Sequence, residues 1–377
     1  MKVAIIHYWF VTRRGGEKVV EKILEIFPDA DIYTLFYDRK TYGDFLDDNK
    51  VYVSNLGKIG FFRKHYQKIF PLYPLGIKSL KLKDNYDLII SSESGPAKGI
   101  SKPEGTPHIC YIHSPMRYCW GYTSEYVKSL PAILRLLAKF FFERLRIWDE
   151  STIDNVDLYI ANSENVQDRV KRFYKKEACV IHPPIHLKLF ENEVKSNFGE
   201  YFLSFGAITP YKRIDLLVDA FNENGKKLVI IGDGSEKQKL EYKSKSNIEF
   251  TGTLDWSDIE KHIYRAKALI FPGEEDFGMI PLEVMAYGLP VLAFGQGGAL
   301  ETVIENLQNV GESSGLFFYE QTVNSINSTI DLFEKISDQI DPDWIRRHSR
   351  KFGEDVFDRK MRNEINAFIS REFNADY

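Results

Sequence analysis

The sequence predicts an α/β fold made of two parallel-sheet halves in one chain. Three observations lead there. First, apolar runs of the length a buried parallel strand needs recur along the chain, among them Val3 to Ile6, Leu88 to Ile90, Tyr201 to Phe205, Lys227 to Ile231, Ala268 to Phe271 and Val291 to Phe294. Second, these runs alternate with segments of helical apolar spacing, such as Val19, Val20, Ile23 and Leu24. Third, 377 residues is long for one domain and comfortable for two. The alternation lapses between His186 and Glu200, where the chain is polar and weakly patterned. That stretch reads as a linker.

Composition bounds the function. A hydrophobic fraction of 44% with 28% charged residues is that of an ordinary globular protein. A net charge of −4 argues against nucleic acid as a partner. The aromatic share of 14% suits a protein that handles sugars or touches membranes, and establishes neither. Cys110, Cys119 and Cys179 are odd in number and irregular in spacing, so the chain reads as belonging to a reducing compartment, with no structural metal. The amino terminus is a strand, too short in apolar length for a signal peptide, and no window reaches eighteen uncharged apolar residues.

The first strand leads into Thr12-Arg13-Arg14-Gly15-Gly16 and a helix from Glu17. A glycine pair there lets backbone approach a ligand, or simply makes a flexible turn. From Val51 to Lys83 no acidic residue occurs, while seven Lys and Arg are interleaved with Phe61, Phe62, Tyr66, Phe70 and Tyr73. Two readings stand side by side: an anionic membrane surface as partner of 51–83, or a core helix pair with a solvated basic face. The strand His108 to Ile112 delivers His113-Ser114-Pro115-Met116-Arg117-Tyr118-Cys119-Trp120, past a strand end where catalytic residues gather in doubly wound folds. A helix from Leu130 to Ile147 carries apolar residues on most turns with a basic edge.

In the second half, Gly206-Ala207-Ile208-Thr209-Pro210-Tyr211-Lys212-Arg213 follows a strand. The densest signal is Pro272-Gly273-Glu274-Glu275-Asp276-Phe277-Gly278-Met279-Ile280-Pro281-Leu282-Glu283, between two apolar runs. This is strand, loop, helix, strand. It sets backbone amides of Phe277, Gly278, Met279 and Ile280 at the end of a parallel strand, where anions bind. Glu275 on the loop can accept from sugar hydroxyls, and Glu283 on the helix from the two hydroxyls of a ribose. Asp341-Pro342-Asp343 is explained by helix capping rather than by a metal.

The 272–283 segment resembles the donor-binding segment of retaining glycosyltransferases of family 4, and the 113–120 segment resembles mannosyltransferase-like members of bacterial surface-polysaccharide assembly. The resemblance implies a GT-B fold: two Rossmann-like domains whose parallel sheets face a central cleft. It divides the chain into an acceptor-side domain (1–185), a sugar-nucleotide-binding domain (186–353) and a helix crossing back to the first domain (354–377). It implies a hexosyltransferase using GDP-mannose, with a UDP-hexose enzyme or a non-catalytic sugar-nucleotide scaffold as alternatives. A phosphorylase-like enzyme on the same fold would need a pyridoxal-phosphate lysine.

By the same resemblance Glu275, His113 and Lys212 are catalytic. Gly15, Gly16, Arg117, Arg213, Thr253, Leu254, Phe277, Gly278, Met279, Ile280 and Glu283 bind substrate. No metal or cofactor is implied. The family carries Arg where this chain has Ala207, so Arg213 or another cation is the expected substitute, or else the donor is bound more weakly. The implied acceptor is a lipid-linked saccharide, and the implied place is the cytoplasm, peripheral at the inner face of the membrane.

Overall fold

The computed structural model describes residues 1–13, 15–46, 51–121, 123–128, 130–194 and 199–374. The chain forms two compact units, Met1–Pro183 with Phe357–Tyr377, and Pro184–Val356.

The first unit holds strands β1 (Val3–Phe10), β2 (Asp31–Tyr37), β3 (Val51–Val53), β4 (Leu88–Glu93), β5 (His108–Ile112), β6 (Leu158–Ala161) and β7 (Ala178–Val180). They form one parallel sheet in the order β3-β2-β1-β4-β5-β6-β7. Both faces are covered, which is why the strands are apolar throughout rather than alternating. On one face the helix Gly15–Ile26 buries Val19, Val20, Ile23 and Leu24. The carboxy-terminal helix Glu354–Asn374 adds Phe357, Met361, Ile365 and Phe368 to the same core.

The second unit holds β8 (Tyr201–Phe205), β9 (Leu228–Ile231), β10 (Ile248–Gly252), β11 (Ala266–Phe271), β12 (Val291–Phe294) and β13 (Gly315–Phe318). Its sheet is again parallel, in the order β10-β9-β8-β11-β12-β13. The predicted pair of parallel α/β sheets is therefore present. In each sheet the winding reverses once, between β1 and β4 and between β8 and β11. Such reversals open a crevice at the carboxyl ends of the flanking strands.

Three local expectations change. The stretch from His186 is not a linker, because residues 187–190 form a turn that buries Leu189. Arg346 donates to the Asn192 carbonyl at 2.6 Å and to that of Phe190, and Ile185 pairs with Gly353. Hydrogen bonds to backbone carbonyls join a few apolar anchors, too few to make a pattern, in holding this strap; residues 195–198 of it lie outside the described residues. The 51–83 region opens on an edge strand, β3, and continues as short helical turns rather than a helix pair. The helix expected over 130–147 runs Ala132–Ser151, its end carried into the core by buried Leu145 and Asp149.

Candidate functional site

At the reversal point of the second unit, β8 ends in a loop through Gly206 and Ala207 and a tight turn Pro210–Lys212. Beside it β11 ends in Pro272 and Gly273. The two ends meet through an ion pair between Lys212 and Glu275, both side chains mostly sheltered from solvent. The Lys212 ammonium also lies 5.6 Å from the centre of the Phe271 ring. Gln321 ties the edge together by donating to the Pro272 carbonyl at 2.9 Å.

The Glu275 loop is fixed by its neighbour after β12. The Gly298 amide donates to the Glu275 carbonyl at 2.9 Å, and Glu275 pairs with Gly297 as in a parallel bridge. Gly297 has φ 65°, and a side-chain carbon there would overlap the Glu275 carbonyl; one at Gly298 would overlap the Phe277 backbone. Only glycine permits that approach. Gly278, at φ 86°, turns the chain into the helix Met279–Met285, where Glu283 is buried. Seven residues make a weak macrodipole. What this helix start offers an anion is therefore individual first-turn amides, which lack intrahelical partners. Thr253 and Leu254 follow β10, Thr253 exposed and Leu254 packed on the core.

Arg213 is engaged at its own turn. It adopts the left-handed conformation at φ 55° and bonds Asp215 at 3.2 and 3.3 Å and the Gln321 carbonyl oxygen at 2.9 Å. It buttresses the turn that presents Lys212. Thr209 was missed by sequence reasoning: its buried hydroxyl has no partner among the described residues. A threonine in a turn carries no signal until its surroundings are known.

At the reversal point of the first unit, His113 follows β5 directly. Its amide donates to the Glu93 carbonyl at 2.7 Å, and its Nε2 lies 2.8 Å from the Ser92 hydroxyl. A carbon added to Gly16 would stand 3.5 Å from His113 Nε2 and from the Tyr8 hydroxyl. So Gly16, Tyr8, Ser92 and His113 line one edge, with Gly15 opening the helix beside them. His7 was also missed, because it sits inside a strand. Its Nδ1 bonds the Ser92 carbonyl at 3.0 Å and must therefore carry the proton, leaving Nε2 as an acceptor. Burial, reinforced by His113, lowers its pKa to about 3. Arg117, half-buried, lies four residues past His113.

Beneath this edge lies a fully buried charge cluster. Lys98 pairs with Asp149 and, at 3.2 Å, with Glu93. Asp149 accepts from Trp120 Nε1 and from the Tyr174 hydroxyl, each at 2.7 Å. Burial pushes the Glu93 carboxyl up to about 7, against the pull of Lys98. Lys98 itself is raised, because the two carboxylates outweigh its burial. A Glu93 carboxyl that takes up its proton this readily offsets the excess of two carboxylates over one ammonium. Among the described residues no group of three or more His, Cys, Asp or Glu could hold a metal ion.

Residues 14–189 match the Glycosyltransferase Family 4 model, and residues 186–351 match the Glycosyl transferases group 1 model. A glycosyltransferase of Methanocaldococcus jannaschii, MJ1178, is 25% identical over 92% of this chain and 90% of that one. The alpha-1,3/1,6-mannosyltransferase ALG2 of Saccharomyces cerevisiae is 25% identical; the match covers 73% of this chain and 62% of that relative's length. Among solved structures, Anabaena Alr3699/HepE in complex with UDP matches at a TM-score of 0.69 and 15% identity, over 97% of this chain and 100% of that one. That last likeness is one of fold.

Proposed function

The chain is a glycosyltransferase of the family 4 and group 1 type with two Rossmann-like domains of the GT-B fold, and from that premise we propose that it moves mannose from GDP-mannose onto a lipid-linked saccharide in polysaccharide biosynthesis, retaining the anomeric configuration. The observation that carries this reading is the Lys212–Glu275 pair at the reversal point of the second sheet. A cation and a sugar-binding carboxylate stand together where a sugar diphosphate divides into charged and neutral parts. In support of mannose stands the mannosyltransferase relative.

The bond between the anomeric carbon and the diphosphate oxygen breaks, and the acceptor oxygen bonds to that carbon on the same face. The acceptor's proton passes to the departing phosphate. Lys212 and the Met279 and Ile280 amides stabilise the charge that develops there. Glu275 orients the hexose, Glu283 takes the ribose, and His113, Arg117, Gly15 and Gly16 serve hexose and acceptor. Thr253 and Leu254 meet the nucleobase through backbone. The chemistry needs no metal or cofactor. The place of action is the cytoplasmic face of the membrane, reached through 51–83.

In the free protein Lys212 is neutralised by Glu275, so the donor must share it. Glu275→Ala therefore keeps donor binding, scored by thermal shift with GDP-mannose, while transfer falls at least about a hundredfold. Undiminished turnover by a folded Glu275→Ala protein would end the assignment. The UDP-hexose reading has the UDP complex of the Anabaena protein in its favour. A thermal-shift panel of GDP- and UDP-sugars separates the two, and donor binding without transfer would favour a scaffold.

A further inference from the structure

We propose that the amino-terminal half of the helix Ala132–Ser151, with the adjoining turns of residues 58–75, seats this chain in an anionic membrane interface, the helix inserting and the turns lying at headgroup level. The helix is rooted at one end only. Phe142, Leu145 and Asp149 are buried, and Asp149 is held by Lys98, Trp120 and Tyr174. The other half stands uncovered: Ile133 is 89% exposed and Leu136 81%, and Leu134, Leu137, Phe140 and Phe141 are exposed as well. The charges from Ala132 to Phe142 are Arg135 and Lys139 alone, and acid re-enters only at Glu143, which Arg146 engages.

The second part of the surface adjoins it. The Phe70 ring stacks on Phe142 with centroids 5.4 Å apart, which joins the 58–75 turns to the helix. There Ile59, Phe61 and Leu75 are exposed beside Lys58, Arg63, Lys64 and Lys68. Tyr73 is buried and Tyr66 and Phe70 partly so, which means the aromatic content of this region divides between core and surface. Part of the aromatic content of 51–83 thus fills core, and part is left on the surface.

An exposed apolar surface with one sign of charge beside it marks a docking site. A second copy of the chain fits it poorly. A two-fold interface would set the patch against itself and bring Arg135, Lys139 and the lysines onto like charges. An anionic bilayer offers negative headgroups over an apolar interior, which is the same order of layers. Insertion would be interfacial, since no described helix is long and apolar enough to cross a membrane. This deepens the membrane-side acceptor of the proposed function and rests on that reading for its purpose alone.

The test uses the full chain with vesicles of phosphatidylglycerol or of phosphatidylcholine, read by co-sedimentation. The wild type should bind the anionic vesicles, more weakly as salt rises. The Ile133→Gln/Leu136→Gln/Leu137→Gln and Arg135→Gln/Lys139→Gln variants should each lose about tenfold or more in affinity. Both should keep the wild-type melting temperature, since every changed side chain is exposed. Wild-type vesicle binding by the triple variant would overturn the proposal. So would a wild-type dimer that the triple variant dissociates, with no vesicle binding by either. The thermal shift with GDP-mannose is measured on the same samples: its absence would count against the proposed donor without touching the vesicle result.

Discussion

The two sheets reverse their winding in the same way, yet the two reversal points are built from different materials. In the second unit the edge is backbone. Gly297 and Gly298 lock the Glu275 loop, and the charged pair Lys212–Glu275 keeps some solvent exposure. In the first unit the edge is side chain, with Ser92, Tyr8 and His113 resting on Glu93, Lys98 and Asp149, all three almost wholly buried. The difference teaches which charges are meant to meet a ligand. On the proposed function, the cation that grips and releases a diphosphate is left partly reachable. One that only aligns strand ends is sealed in, where removing a partner is expensive.

The largest effect expected from this contrast is in the sealed cluster. Lys98→Met leaves Glu93 and Asp149 buried without a counter-charge, at a cost of about 3–5 kcal/mol. Thermal or denaturant unfolding should show the loss in the first unit. Adding Glu93→Gln and Asp149→Asn to Lys98→Met should restore most of it, because a neutral hydrogen-bonded cluster has no charge to desolvate. Equal stability of Lys98→Met and wild type would erase the distinction between the two edges.

Acid sharpens the same comparison. Burial lowers both His7 and His108 to about 3, while the unfolded chain takes up their protons near 6.5. His108 is held neutral between Asn155 O and the Ser91 hydroxyl, at 2.9 and 2.8 Å. Below pH 6.5 the unfolded state thus binds two more protons than the folded one, and each costs about 1.4 kcal/mol per pH unit. Glu93 works the other way: raised to about 7, it is protonated in the folded state before its ordinary 4.5, so falling pH stabilises it across that window. As the pH falls below 6.5 the two histidines outweigh Glu93, so stability falls, and it falls more steeply below 4.5, where Glu93 no longer offsets them. In the second unit His348, lowered by burial, adds to the loss. His7→Gln should remove one histidine's share, visible as a flatter dependence of unfolding free energy on pH.

How much of this was legible in the sequence follows from what each feature is made of. The strands were legible because both faces of each sheet are covered, which leaves apolar runs with no alternation. Lys212, Glu275 and Glu283 were legible because they sit at fixed offsets from strand ends and glycines. The Lys98 cluster was not: its members stand at 93, 98, 149 and 174, far apart along the chain and without any period. The glycine lock was half visible. Gly295 to Gly298 read as a loop, but nothing in the sequence says that the loop rests on Glu275. The strap after His186 was misread because one buried leucine and hydrogen bonds to carbonyl groups hold it, and every residue has a carbonyl. Arg213 was expected in the place of the missing arginine at 207, and nothing in the spacing says that a left-handed backbone turns it onto Asp215 and Gln321.

The smallest expected effect tests that last point. Both cations of the 206–213 segment are paired in the free protein, Lys212 with Glu275 and Arg213 with Asp215. A diphosphate arriving there must compete with a carboxylate for each. Ala207 is exposed on the loop after β8, beside the buried Thr209 hydroxyl, where the family pattern has an arginine. Ala207→Arg adds a third cation to this edge, and a guanidinium suits a diphosphate in geometry as well as charge. Calorimetric titration with GDP and UDP should show about tenfold tighter binding for the cognate nucleotide, about 1.4 kcal/mol. Transfer should rise less than binding if the new contact holds bound donor and departing diphosphate alike. An unchanged dissociation constant would mean that the charge at this edge is already sufficient, and that the glycine-locked backbone, not the side chains, carries the anion.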